Sequence, residues 1–177
     1  MAEKTGIDAA ITYVDGDATA PQGAGVKMIV HVCNDVGGWG KGFVRALSRR
    51  WPEPERAYRR WYRERAGNDF GLGAVQFVPV GEELWVANVI GQRGTARRVR
   101  GSDRPAGAPI GGTGAPVRYE AIAAGLGRVA ERAVEVGASV HMPRIGCGLA
   151  GGTWSRMEPL ISRRLVERGV AVTVYDG

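Results

Sequence analysis

The stretch MPRIGCGLAGGTW, Met142 to Trp154, sets four glycines between a β-branched run, ASVHM, and a segment of helical spacing, TWSRMEPLISRRLVERG. Strand, glycine turn and helix are the units of open α/β sheets, whose ligands gather where the strands end. A second stretch, NDVGGWGKGF from Asn34 to Phe43, stands in the same setting, after KMIVHVC and before an arginine-rich segment. Glycine reaches positive φ easily and lets a ligand approach the backbone with no Cβ in the way. The N–H groups opening the following helix, with its dipole, suit a phosphate. Two such loops in one chain suggest a pyrophosphate gripped from both sides.

Outward from these loops, six segments read as strands: AAITYVDG, VKMIVHVC, GAVQFVPV, ELWVANVI, ASVHMP and VAVTVYD. Most are continuous apolar runs, the pattern of strands buried on both faces. Four segments read as helices. Gly42 to Trp51 is stopped by Pro52, and Pro54 opens the next, which runs to about Arg65. PVRYEAIAAGLGRVAERAVEVG places Ile122, Leu126, Val129, Ala133 and Val136 near a helical period and ends at Gly137. The last runs from Trp154 to Arg168, with Thr153 as N-cap. Strands alternating with helices predict an α/β fold: a three-layer α/β/α sandwich around a mixed sheet of about six strands.

A chain of 177 residues fits one domain. Its exception is a glycine- and proline-rich loop at about 94–115, strongly basic and without period, expected to be a mobile surface flap. Net charge is +6, and eight arginines face three glutamates between Arg45 and Arg65. Arg49, Arg56, Arg60 and Arg63 have the spacing of one helical side. With Arg93, Arg97, Arg98, Arg100 and Arg104 they make nucleic acid a candidate partner, a solvated helix face being the alternative. No run approaches the roughly 20 apolar residues that span a bilayer, and no signal peptide is evident. Two cysteines 114 positions apart and two histidines suggest neither disulfide nor metal site. No cofactor, no membrane partner, a monomer and a cytoplasmic setting are the expectations.

Gly146 to Gly151 also spells GxGxxG, and the final strand ends in Asp176. A dinucleotide fingerprint has that shape, but here it lies at the end of the sequence with the acid too far on, which makes it weak.

Together, ITYVDGDAT, VHVCNDVGGWGKGF and MPRIGCGL resemble the three signature regions of a macrodomain. They are most similar to the branch containing terminal ADP-ribose protein glycohydrolase and the DNA ADP-ribosylation antitoxin. The resemblance runs in order from Ile11 to Tyr175 and implies the sandwich predicted above. It implies ADP-ribose, or ADP-ribose carried on a macromolecule, as the ligand. Asp17 would accept from the adenine amino group, beside the N–H of Ala18. Gly37, Gly38, Trp39, Gly40, Lys41, Gly42 and Phe43 would wrap the distal ribose and diphosphate. Ile145, Gly146, Cys147, Gly148 and Leu149 would offer backbone N–H groups to the phosphates, and Asn34 would reach the distal ribose. Trp39, set between glycines, is expected to be exposed and to contact ligand. Lys41 is open between phosphate and solvent, and Asp17 has a turn-closing role as its alternative.

The resemblance also exposes a gap. Gln92 stands where the branch carries a catalytic lysine, and Ala150 where some members carry an aspartate. An ADP-ribosyl hydrolase would then work by ligand positioning and phosphate-assisted water attack, with Asn34, Gln92 and Asp35 as candidate catalytic residues. A nucleic-acid base or an acidic protein side chain would be the acceptor. A reader that binds without turnover, or a phosphatase on ADP-ribose phosphates, are the alternatives. Cys147, near a helix start, is a weak candidate for a lowered thiol pKa. His31 and His141, within apolar strands, read as core residues.

Overall fold

The computed structural model describes residues 10–95 and 116–177. The basic loop at about 94–115, with Arg97, Arg98, Arg100 and Arg104, lies outside them except for Gly94 and Thr95. The described order is β1 (Thr12–Asp15), β2 (Lys27–Asn34), α1 (Phe43–Arg50), α2 (Glu53–Arg63), β3 (Val75–Gly81), β4 (Leu84–Gln92), α3 (Tyr119–Val136), β5 (Ser139–Met142), α4 (Trp154–Arg164) and β6 (Val172–Asp176). The strands form one sheet in the order β1-β6-β5-β2-β4-β3. All ladders are parallel except β3 against β4.

Alternation along the strands sorts the two faces of the sheet. Met28 and Val30 of β2 join Ala87 and Val89 of β4 under α3 and α4, with Ile122, Leu126, Met157 and Ile161. Ile29 and Cys33 join Val86 and Ile90 on the other face, under Val44 and Leu47 of α1 and Tyr58 and Trp61 of α2. The result is the predicted three-layer sandwich. β2 and β4, covered on both faces, are the unbroken apolar runs; β1, at the edge, is mostly exposed. Gly125 lets α3 lie close on the sheet, since a Cβ there would meet Val89 Cγ1 at 2.5 Å.

Helix boundaries depart from expectation in informative places. Pro52 separates Arg49 on α1 from Arg56, Arg60 and Arg63 on α2, so the four do not share one helical side. α4 stops at Arg164, and a 3₁₀ turn carries Val166–Arg168 to Gly169. Thr153 holds the N-cap position of α4 but caps nothing with its side chain; its N–H donates instead to Tyr119 Oη at 3.0 Å. Asp176 is bound by Arg144 at 2.6 Å, and the sheet order is not that of a dinucleotide fold.

A cleft at the carboxyl ends of β2 and β4

β2 and β4 stay in register from Lys27 opposite Leu84 to Cys33 opposite Ile90, then slip so that Asn34 lies opposite Gln92. Gly91 is the extra residue, and a Cβ on it would sit 2.5 Å from Ile122 Cγ1 and 3.0 Å from Val32 Cγ1. A bulge of this kind re-aims the residue that follows it. Here it sets two side-chain amides next to one another. They line a cleft of about 410 Å³ with Cys33, Gly38, Trp39, Gly40, Lys41 and Thr95.

The first glycine loop is held by Asn34. Its Oδ1 accepts from the N–H groups of Val36 at 2.9 Å and Gly38 at 3.2 Å, and its Nδ2 donates to Gly38 O at 2.6 Å. From α2, Tyr58 Oη lies 2.7 Å from Asn34 O and 2.8 Å from Asn34 Oδ1, and accepts from Gly37 N–H at 3.1 Å. Gly37 has φ +79° and lies flush against Tyr62, whose ring a Cβ would enter at 2.4 Å. The loop then delivers Gly42, at φ 80°, as the N-cap of α1, with no side chain capping the helix. The first N–H groups of α1 are left without an intrahelical acceptor, the condition that favours an anion. Lys41 is exposed on the cleft wall, and no described carboxylate lies within salt-bridge range of it.

Trp39 corrects the sequence reading. It is 7% exposed, tilted against Tyr58 and edge-on to His31, with Nε1–H donated to Ser48 Oγ at 2.8 Å. Its reason for sitting between glycines is structural: the positive φ values of Gly37 and Gly40 fold the chain inward so that the indole fills the layer under α1 and α2. One side of it still lines the cleft.

Asp35 is engaged as well, its Oδ1 accepting from Gly94 N–H at 2.8 Å, which ties the end of β2 to the chain leaving β4. It is not among the residues lining the cleft. Gln92 Nε2 donates to Gly94 O at 3.0 Å.

The second loop stands at the same edge of the sheet, at the end of β5. Val117 links it to the cleft, bridging Gln92 on one side and donating its N–H to Ala150 O at 3.0 Å on the other. Gly146 takes φ +73°, and a Cβ there would press on Met157 Cε at 2.5 Å. Gly152 N–H donates to Gly146 O at 2.8 Å, and a 3₁₀ turn begins at Gly148. Ile145 points into the core, so its contribution at the loop is backbone. Ile145, Gly146, Cys147 and Gly148 are absent from the cleft lining, which among the described residues the first loop, the two strand ends, Val44 and Thr95 supply. Cys147 is a second correction. Partial burial pushes its thiol pKa up, against an opposing pull from Arg144, so it is not an activated nucleophile.

Asp17 is exposed and Ala18 buried, at the end of β1. Asp17 Oδ1 accepts from Thr19 N–H at 2.8 Å and Thr19 Oγ1 at 2.7 Å. Its Oδ2 faces Arg50 of α1 at 3.5 Å, and Arg50 Nε donates to Thr19 Oγ1 at 2.8 Å. The Thr19 bonds, then Arg50, hold the carboxyl pKa below its ordinary value. The turn role and a charged, oriented carboxylate therefore coexist. Both histidines are core residues, as expected. Burial pushes each down to about 4. His31 Nε2 pairs with Asn88 Oδ1 at 2.5 Å; His141 is bound by Tyr175 and Ser139. Among the described residues no group of His, Cys, Asp and Glu could hold a metal ion. Sequence reasoning missed Thr95, which lines the cleft, and Tyr58, buried behind Asn34. Tyr58 carries no motif signal, since its role depends on how α2 docks.

No family model matches the chain. Among solved structures, a macrodomain protein from Streptomyces coelicolor is 64% identical, with a TM-score of 0.78 over 94% of this chain and 99% of that one. The curated chromodomain-helicase-DNA-binding protein 1-like of Danio rerio is 34% identical over 94% of this chain, which spans only 15% of that relative's length. Thermosipho africanus DarTG, solved in complex with ADP-ribose, shares the fold with a TM-score of 0.70 at 18% identity, over 94% of this chain and 41% of that one.

Proposed function

This chain belongs to the macrodomain family, and on that premise we propose that it binds ADP-ribose in the cleft and hydrolyses its bond to a modified macromolecule. The observation that carries the reading is the pairing of Asn34 with Gln92 beneath a glycine loop that opens an uncapped helix. Loop and helix start suit the diphosphate, and the amide pair suits the distal ribose at the reacting end. In the reaction, water oxygen bonds to the anomeric carbon as the bond to the acceptor breaks. The electron pair leaves with the acceptor, which takes up a proton, and the transition state has oxocarbenium character. With glutamine and alanine where lysine and aspartate would stand, a ligand phosphate and Gln92 orient the water. Asp35, bonded to Gly94 N–H, steadies the strand end that carries Gln92.

A nucleic-acid base is the acceptor we favour, because α2 and the turn that follows it place arginines against the first glycine loop and the tyrosine packed on it. Arg59 Nη1 donates to Gly37 O at 3.4 Å, and Arg65 lies over the Tyr62 ring at 3.9 Å. One observation favours a reader that binds without turnover: no carboxylate lines the cleft among the described residues. Single-turnover release of ADP-ribose separates the two readings. The substrates are a thymidine-linked DNA oligonucleotide and a glutamate-linked protein. Release from the oligonucleotide supports the hydrolase and its nucleic-acid acceptor; tight ADP-ribose binding with release from neither makes the protein a reader for those linkages.

A further inference from the structure

The two amides at the cleft floor present different groups to it. Asn34 Oδ1 receives the N–H groups of Val36 and Gly38 and lies 2.8 Å from Tyr58 Oη, so its two lone pairs are filled. Its Nδ2 gives one N–H to Gly38 O, which leaves the other N–H as the only hydrogen-bonding group it can offer the cleft. Backbone partners on both atoms rule out a flipped amide. Gln92 is less committed. Its Nε2 gives one N–H to Gly94 O, which leaves a second N–H and an Oε1 to which no described residue donates. The pair thus offers a donor from Asn34 and, from the adjacent strand, an acceptor with a further donor on Gln92. A hydroxyl or a water, which accepts through oxygen and donates through hydrogen, can bridge Asn34 Nδ2 and Gln92 Oε1.

The backbone sets the polarity of Asn34, and Tyr58 adds a clamp that holds the side chain in place. Tyr58 is fully buried, its phenol hydrogen is shared between Asn34 O and Oδ1, and its oxygen takes the Gly37 N–H. Resting on the ADP-ribose reading above, we infer that Tyr58 is a positioning residue: its hydroxyl, bonded to Asn34 O, Asn34 Oδ1 and Gly37 N–H, locks the Asn34 side chain in place, so that Asn34 and Gln92 together select a hydroxyl of the distal ribose. Tyr58 touches no ligand; it acts through Asn34.

The test is calorimetric titration of ADP-ribose and of ADP, which lacks the distal ribose, into wild type, Tyr58→Phe, Asn34→Ala and the double variant. Tyr58→Phe keeps the ring that packs on Trp39 and Phe70. It is expected to weaken ADP-ribose about fivefold, the effect of one net hydrogen bond, and to leave ADP unchanged. In the Asn34→Ala background the same change is expected to do nothing. Equal losses for ADP and ADP-ribose, or an undiminished effect in the double variant, would overturn the proposal in favour of a merely structural tyrosine. If wild type binds no ADP-ribose, the functional reading fails by itself. The lock is then judged by the side-chain amide resonances of Asn34, whose Nδ2 protons exchange faster in Tyr58→Phe if the lock exists. Unchanged resonances would overturn it.

Discussion

Asn34 and Gln92 lie opposite one another across the parallel β2–β4 ladder only because the register slips by one residue at Gly91. Without that slip Asn34 would face a glycine. The reacting end of the cleft therefore depends on a backbone irregularity, and Gln92 is the side chain most exposed to its consequences. We expect Gln92→Ala to bind ADP-ribose within about threefold of wild type, since one neutral hydrogen bond is removed. Single-turnover release should fall by about two orders of magnitude, the usual worth of a positioned polar group in the transition state. A variant that releases ADP-ribose at the wild-type rate would remove Gln92 from the chemistry.

Gly91→Ala tests the bulge itself. A new Cβ has Ile122 Cγ1 at 2.5 Å, so the slip must relax or α3 must move. The expected outcome is a loss of about 1–3 kcal/mol in urea unfolding, together with loss of turnover as great as that of Gln92→Ala. Retained turnover in a destabilised protein would separate the bulge from function.

Gly37→Ala should be more damaging to binding than to folding. The position combines φ +79° with a Tyr62 ring at 2.4 Å from a built Cβ, and the loop it shapes lies at the cleft rather than in the core. We expect ADP-ribose affinity to drop by at least about tenfold, with a stability loss of roughly 1–3 kcal/mol. Titration calorimetry and a thermal melt read the two effects separately.

Stability should fall as the solution is acidified below neutrality. His31 and His141 have folded pKa values near 4, below the ordinary 6.5, so between those values the unfolded chain binds protons that the folded chain refuses. Each histidine contributes stability that is complete above 6.5 and is lost as pH falls towards 4, with a slope of up to about 1.4 kcal/mol per pH unit. Urea midpoints measured from pH 7 to pH 4.5 should decline accordingly. His31→Gln, which keeps a polar group near Asn88, should flatten the decline.

Cys147 should alkylate slowly at pH 7, because burial pushes its thiol pKa up. Cys147→Ser is expected to retain turnover within about twofold, since its backbone N–H and not its sulfur belongs to the loop. Loss of turnover in this variant, with folding intact, would reinstate a role for sulfur.

By itself the sequence determined the layers and the loops. Unbroken apolar runs such as KMIVHVC demand cover on both faces, the helical periods supply it, and glycines at strand ends mark where backbone must turn sharply. These are local signals, carried by neighbours along the chain. Only the tertiary structure decided which polar groups meet. Trp39 looked like a solvent-facing residue until α1 and α2 closed over it. Tyr58 has no motif around it, yet docking of α2 sets its hydroxyl on Asn34. Gln92 reaches Asn34 through a slip set by how Gly91 packs against α3. Each depends on contacts between residues distant in sequence, where the energy of close packing, rather than any periodicity, selects the arrangement.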